Sequence, residues 1–324
     1  MTRLDVPQRP VPIGIDELPP LGPIAVTLGV FDGVHRGHHH LLAATADAAA
    51  RTGASSAALV FDPHPEEVLR PGWQVPRLAP LSENLAMIAA TGIDRVVPVR
   101  FDDPLRSLTP EEFVDRLQRA ATLRTLVMTP ESAFGRGRAG TVARMREIGA
   151  ARHFTVETIE PLQVDDAAVS SSRIRRELEA GAVERGAELL GHAPLLVGEV
   201  VHGDGRGREL GYPTANLAFA YRAALPALGI YLGRVSVATR GVSAGHPALV
   251  SIGVRPTFHD EGRVLVEVFL LDWSGDLYGA EMRLELVARL REERRFASVE
   301  ALVEQMHGDE ARARALLDEA RPNR

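Results

Sequence analysis

Val26-Thr-Leu-Gly-Val-Phe-Asp-Gly-Val-His-Arg-Gly-His38 reads as a strand, a glycine turn and a helix start. Val26, Thr27 and Leu28 are β-prone and continue a strand begun at Ile24. Gly29 and Gly33 break it. Gly37 opens a helix that runs through His38, Leu41 and Leu42 to about Arg51, with Gly53 as its C-cap. The first helical N–H groups have no internal partner, and the helix dipole adds partial positive charge there, so the turn is an anion site. His35 and His38, three residues apart at its mouth, are spaced to clasp one phosphate group, with Gly29, Phe31, Asp32, Gly33 and Gly37 shaping the loop around them. The Gly-Lys-Ser/Thr of a Walker loop is missing. A plain surface loop with chance histidines is the rival reading, and the coincidence of glycine turn, Asp32 and spaced histidines argues against it. His39 and His40 read as helix surface.

Working outward, Ser56–Phe61, Arg95–Val99, Thr125–Met128 and Thr155–Thr158 read as further strands. Helices fall at about 66–69, from Ser82 to Gly92, from the Thr109-Pro-Glu-Glu112 capping box to about Ala120, and over Thr141–Ala151. Strands alternating with helices predict a doubly wound parallel sheet, with ligands at the carboxyl ends of its strands. Residues 1–22 hold five prolines and read as an extended arm, with room for a short edge strand. Ser170-Ser-Ser-Arg-Ile-Arg-Arg176 opens a helix whose residues continue to about Leu190. A capped helix with a solvated basic first turn is one reading of it. Arginines at a helix start oppose the dipole unless an anion sits there, which is the other.

Gly191-His-Ala-Pro194 reads as a linker, giving domains at 1–190 and 191–324. Beyond it Leu196–Val201, Ile230–Val237, Ala248–Val254, Val264–Leu271 and Met282–Leu290 alternate as short strands and predict a closed antiparallel barrel. A final helix from about Ser298 puts Val299, Leu302, Val303 and Met306 on one face. His202-Gly-Asp-Gly-Arg-Gly-Arg-Glu-Leu-Gly-Tyr-Pro-Thr-Ala-Asn-Leu217 is the second dense stretch. Gly203, Gly205, Gly207 and Gly211 make a loop whose backbone can approach a phosphate closely, and Arg208 sits within it. Glu267 alone reads as an edge-strand glutamate pointing to water. The charge run Ala288–Phe296 is assigned no chemistry.

A chain of 324 residues with 45% apolar side chains predicts about two domains with real cores. The net charge of −6 predicts no nucleic-acid and no membrane-surface partner. The absence of cysteine excludes disulfides, thiolate zinc sites and cysteine nucleophiles. No signal peptide and no membrane-spanning run is read, so a cytoplasmic location is expected. Oligomeric state is left open.

The first stretch resembles the GxFDGxHxGH signature of the HxGH nucleotidyltransferases, whose two histidines hold the ATP phosphates as pyrophosphate leaves. His64 in Phe61-Asp-Pro-His-Pro65 resembles the same family's PHP element. Ser170–Arg176 resembles its ISSTxxR motif, with Ser171 on a Ser, Ser172 in place of Thr and Arg175 on the triphosphate-gripping Arg. The second stretch resembles the riboflavin kinase signature GxGxGRxLGxPTANL, in which Thr214 and Asn216 match the Mg²⁺ ligands. Val264–Asp272 with Gly275-Asp-Leu-Tyr-Gly279 resembles that family's E…LLD…GDLYG pattern, where the residue matching Glu267 is the base for the ribityl 5′-hydroxyl. Ser251–Phe258 resembles its IGxRPTF segment near the flavin, carrying Arg255 and Thr257. Nearly the whole chain, from about Ile24 to the last helix, is thus similar to the prokaryotic bifunctional riboflavin kinase/FAD synthetases. That implies a nucleotidyltransferase sheet followed by a kinase barrel, ATP and Mg²⁺ in use, and riboflavin, FMN and FAD as substrates and products. One segment departs: Thr129-Pro-Glu-Ser-Ala-Phe-Gly135 keeps Phe134, a flavin-site position, and Gly135. It places Glu131 where relatives have Asp or Asn, and Ser132 where they have an aromatic residue. Two alternatives stand beside the bifunctional reading: a monofunctional riboflavin kinase with a weak adenylyltransferase half, and a non-catalytic flavin-binding regulatory protein.

Overall fold

A computed structural model of the chain describes residues 10–203, 212–254 and 264–319. The chain divides into two compact units, Met1–Ser171 and Ser172–Arg324.

The first unit is built on β1 (Gly22–Gly29), α1 (Arg36–Thr52), β2 (Ser55–Asp62), α2 (Pro65–Leu69), α3 (Leu81–Ala90), β3 (Arg95–Arg100), α4 (Asp103–Arg106), α5 (Pro110–Ala120) and β4 (Ala121–Met128). It continues through β5 (Ala133–Phe134), β6 (Gly140–Thr141), α6 (Val142–Arg152), β7 (Thr155–Thr158), β8 (Gln163–Val164) and β9 (Ala167–Ala168). Five strands form one parallel sheet in the order β3-β2-β1-β4-β7. Ile24, Ala25, Val26 and Thr27 are all buried, as a central parallel strand covered on both faces requires. The order reverses at β1, so the glycine turn leaves the sheet at its switch point, where such folds bind ligands.

Local chemistry explains the helices. Gly53 closes α1 at φ 62°, ψ 33°, and Thr109 and Glu112 make the reciprocal capping box of α5. The proline-rich arm adds one parallel bridge, Ile13 to Val99, at the edge of the sheet. Strand β4 begins at Ala121 rather than Thr125, because its first residues already pair with Gly22–Ile24 of β1. The hairpins β5–β6 and β8–β9 were not expected; each is two residues per strand, too short for alternation to register.

The second unit holds α7, which begins at Ser171 and ends at Glu179, α8 (Val183–Leu190), β10 (Leu195–Val201), β11 (Ala215–Ala218), β12 (Gly229–Val237), β13 (Val242–Val254), β14 (Val264–Leu270), β15 (Glu281–Glu292) and α9 (Val299–Glu319). The six strands close into a barrel in the order β10-β11-β14-β13-β12-β15. The continuous helical stretch expected up to Leu190 is instead broken at Gly181, whose φ of 82° is left-handed. That φ favours glycine, and a Cβ there would sit 2.6 Å from Arg289 Nη1 on β15, so the chain turns tightly against that side chain. A Cβ on Gly186 would lie 2.9 Å from Leu178 Cδ2, and the Leu178 carbonyl accepts from Ala227 N–H at 3.0 Å. The sequence reading assigns no strand to the residues after the glycine loop, and so misses β11. On α9 the expected apolar face is only partly realised: Leu302 and Met306 turn inward, whereas Val299 is exposed.

Candidate functional site

In the first unit the carboxyl ends of parallel β1, β2 and β4 carry the His35 loop, the His64 turn and the Thr129–Gly135 segment along one sheet edge. The loop after β1 is strongly bent. Phe31 and Val34 have positive φ, and a Cβ on Gly29 would lie 3.1 Å from the Phe31 ring. Buried Asp32 turns its carboxylate onto the Leu78 N–H at 3.0 and 3.1 Å and the Ala79 N–H at 3.3 Å. Its carbonyl accepts from the Ser171 hydroxyl at 3.0 Å. Asn84 accepts from Gly33 N–H at 2.9 Å and donates to the Ala79 carbonyl at 3.2 Å. Asp32 and Asn84 thus brace the loop, and the sequence reading missed Asn84. Its signal was one amide on the apolar face of α3.

His35 is buried and caps α1. Its Nδ1 accepts from His38 N–H at 3.3 Å, which leaves Nε2 as the ring nitrogen able to donate. The His38 ring stacks on it at a centroid distance of 3.6 Å and 16°, with the Phe31 ring tilted against His38 at 5.1 Å. A Cβ on Gly37 would lie 3.1 Å from the Val169 carbonyl and 3.2 Å from the His35 ring, which accounts for the glycine between the histidines. His38 Nδ1 is shielded from water and has no hydrogen-bond partner among the described residues. Burial, and then the neighbouring His35 and His39, hold the His38 pKa well below 6.5. The ring is therefore neutral near pH 7, with one buried nitrogen that a ligand could satisfy. His39 and His40 are exposed on α1, as read.

His64 caps α2 through Nδ1, which accepts from Glu66 N–H at 3.1 Å. Arg77, unnoticed in the sequence, pairs with Asp62 at 2.9 Å and Glu67 at 3.5 Å. Burial raises the Asp62 pKa and Arg77 pulls it back. Phe134 packs on Phe113 at a centroid distance of 5.0 Å. Ser132 Oγ lies 2.7 Å from Thr129 Oγ1 and accepts from Thr129 N–H at 3.1 Å, so it closes its own turn, while Glu131 is exposed. Ser172 and Arg175 lie in the first turns of α7, in the second unit.

In the second unit the barrel register sets the other site. Asn216 on β11 pairs with Val201 on one side and Glu267 on the other. Thr214 lies two residues before Asn216, and its hydroxyl donates to Glu267 Oε1 at 3.5 Å. Strand β14 lies between β11 and β13, so Glu267 is not on an edge. It is half-buried, on the face opposite Val266 and Val268. Thr214, Asn216 and Glu267 all line a cavity of about 450 Å³ with Ile230, Leu249 and Phe269. Thr214 also lines a smaller one of about 130 Å³ beside Trp273 and Tyr278. Gly203 abuts Asn216: a Cβ there would overlap Nδ2 and lie 2.7 Å from Cγ. His202 stacks on Tyr278 at 3.7 Å. Gly205, Gly207, Arg208, Gly211, Arg255 and Thr257 lie outside the described residues.

Among the described residues no group of three or more His, Cys, Asp or Glu could hold a metal ion. Hydroxyl, amide and carboxylate oxygens do meet at Thr214, Asn216 and Glu267. That donor set fits a hard cation that keeps several waters and takes substrate phosphates as its remaining ligands.

A switch-point histidine loop and an oxygen-rich barrel cavity define a two-unit phosphoryl- and nucleotidyl-transfer enzyme. A riboflavin kinase family model matches residues 190–317, and an FAD synthetase model matches residues 20–173. A bifunctional riboflavin kinase/FMN adenylyltransferase of Pseudomonas fluorescens is 40% identical over 291 residues, covering 90% of this chain and 92% of that one. Enzymes of the same description from Listeria monocytogenes and Escherichia coli K12 are each 33% identical, the first over 94% of this chain and 95% of its own, the second over 92% and 94%. This chain belongs to the bifunctional riboflavin kinase/FMN adenylyltransferase family. A crystal structure named as a macrolide-efflux protein from Streptococcus pneumoniae matches it with a TM-score of 0.84 at 28% identity, covering 94% of this chain and 98% of that one. Among the described residues no helix is long and apolar enough to cross a membrane.

Proposed function

We propose that the second unit phosphorylates riboflavin to FMN and the first adenylylates FMN to FAD, each reaction consuming one ATP. The observation that carries the kinase reading is the meeting of Thr214, Asn216 and Glu267 at a cavity that also has an apolar side of Ile230, Leu249 and Phe269. Riboflavin is an apolar ring system with a polyol tail. The ring takes the Ile230–Leu249–Phe269 side of the cavity, and the tail places its 5′-hydroxyl near Glu267. Glu267 accepts the hydroxyl proton as the oxygen attacks the γ-phosphorus of ATP, and ADP leaves. Thr214 and Asn216 would hold Mg²⁺, which neutralises phosphate charge when bound. In the first unit the FMN phosphate attacks the α-phosphorus of a second ATP and pyrophosphate leaves. His35 and His38 hold the phosphates through their ring nitrogens, His38 as a neutral group whose Nδ1 is satisfied by the bound ligand. Neither step requires a covalent enzyme intermediate, so positioning and charge stabilisation supply the catalysis. Division of labour between the two units, small-molecule partners only, and a cytoplasmic location where ATP is at hand complete the reading.

Incubating the full chain with riboflavin, ATP and Mg²⁺ and separating the flavins tests it. FMN should appear first and FAD follow. FMN without FAD would leave only the kinase, and no product at all would favour a flavin carrier. The turn closed by Ser132 favours one refinement: the adenylylation step is the slower, because the side chain that relatives offer as an aromatic surface is here bonded to Thr129.

A further inference from the structure

The charge run on β15 supplies a group that neither reaction has used. Arg291 and Asp309 line the same cavity as Glu267, yet their side chains are only 11% and 7% exposed. Arg291 Nε donates to Asp309 Oδ1 and Oδ2 at 2.8 and 3.0 Å, Nη2 donates to Oδ2 at 2.7 Å, and Nη1 donates to the Glu292 carbonyl at 2.9 Å. Gln305 Nε2 donates to Asp309 Oδ1 at 3.0 Å and locks the carboxylate from α9. The Phe296 ring lies 5.7 Å from the guanidinium carbon. A guanidinium carries five N–H groups. One on Nη1 and one on Nη2 have no partner among the described residues. Burying an ion pair costs about as much as its attraction returns, so stability alone is a poor reason to build one into a cavity wall.

The rest of that wall includes Leu249, Phe269, Leu302 and Met306. Beside the Thr214, Asn216 and Glu267 oxygens, the cavity therefore also offers an apolar wall and, on Arg291, a rigid donor neutralised by Asp309. An isoalloxazine ring has the matching division: a dimethylbenzene end, and a pyrimidinedione end bearing two carbonyl acceptors. We propose that Arg291, held by Asp309 and Gln305, donates to a pyrimidinedione carbonyl of riboflavin and so sets which flavin the kinase unit accepts. This rests on reading the cavity as the riboflavin site. Neutralisation by Asp309 suits an uncharged ring; an unpaired arginine would favour an anion instead. The fixed fork also explains arginine over lysine, whose ammonium would not hold one plane against the ring edge.

Titration calorimetry on the full chain, with riboflavin, 2-thioriboflavin and 4-thioriboflavin, tests this. Sulfur is a weak acceptor, so the wild type should bind one of the thio analogues about ten-fold more weakly than riboflavin, the scale of one hydrogen bond to a charged group. The double variant Arg291→Met with Asp309→Leu removes both charges without leaving either unpaired, and should bind all three flavins alike. Arg291→Lys keeps the pair and loses the fork, should also lose the discrimination, and decides the matter if the double variant does not fold. Equal binding of all three by the wild type, or discrimination surviving in Arg291→Lys, overturns the proposal. Met306→Trp separates this from failure of the underlying reading. If filling the cavity leaves riboflavin binding unchanged, the cavity is not the flavin site and both fail. If it abolishes binding while Arg291→Lys still discriminates, only the role of Arg291 fails.

Discussion

Gly203→Ala tests whether Asn216 works where the barrel register places it. The added Cβ would overlap Asn216 Nδ2 and lie 2.7 Å from Cγ and 3.0 Å from Oδ1, so the amide must swing away. Gly203 has no left-handed φ to lose, and the backbone itself should accept alanine. The cost therefore falls on one side chain. Even disturbing the supporting shell of a metal site typically costs roughly 10–100-fold in affinity, or about 1.4–2.7 kcal/mol. Displacing Asn216 should raise the Mg²⁺ concentration needed for riboflavin phosphorylation by at least that factor. The double variant with Asn216→Ala should be no worse than Asn216→Ala alone, because both changes remove the same oxygen. The assay is FMN formation against Mg²⁺ concentration, with FAD formation from added FMN by the same protein as the control for folding. A Gly203→Ala enzyme with a wild-type Mg²⁺ profile, or a double variant whose defect is the product of the single defects, would refute the reasoning.

Glu267→Gln should leave ATP binding nearly intact and lower kinase turnover by roughly two to four orders of magnitude, the usual contribution of a general base; near-normal turnover would make Glu267 structural. Alanine at His35 or at His38 should abolish FAD formation in both directions while FMN formation continues, measured on one sample with each substrate. His38 also sets a stability window. Its folded pKa lies below 6.5, so on acidification through 6.5 the unfolded chain takes up a proton that the folded chain refuses. Wild-type Tm should therefore fall between about pH 7 and pH 5 more steeply than that of His38→Gln, and parallel curves would show the ring to be unperturbed. Glu131→Asp with Ser132→Phe should speed FMN adenylylation, by about the 0.5–1.5 kcal/mol of one aromatic contact, and leave riboflavin phosphorylation unchanged in steady-state kinetics.

Legibility in the sequence followed the range of each interaction. The turn after β1 could be read because its glycines, its cap and its histidines lie within one short stretch. Strand alternation likewise revealed five of the six barrel strands, whose faces differ locally in polarity. Strand β11 was hidden because its four residues gain strand character only by pairing with β10 and β14. The break at Gly181 was equally hidden, since the turn it makes is set against Arg289, far along the chain on β15. Asn84 and Arg77 act on loops distant in sequence, and no local pattern announces them. In the barrel Thr214 and Asn216 could be picked out from the resemblance, but their placement beside Glu267 had to come from the register. Arg291 was lost among charges because its partner, Asp309, belongs to a different element.

The broken helix pair before the barrel bears on recombination between relatives. The matched family regions end at residue 173 and resume at 190, leaving most of α7 and α8 between them as apparent spacer. Those helices are wired into the barrel unit: Leu178 O accepts from Ala227 N–H, Glu184 Oε1 accepts from Arg289 N–H at 3.2 Å, and Gly181 lies against the Arg289 guanidinium. A chimaera spliced at residue 190 would inherit a barrel deprived of these partners and facing a foreign helix. A crossover ahead of Ser171 would transfer the barrel with α7 and α8 whole, and is the joint at which modules from different genomes should be exchanged.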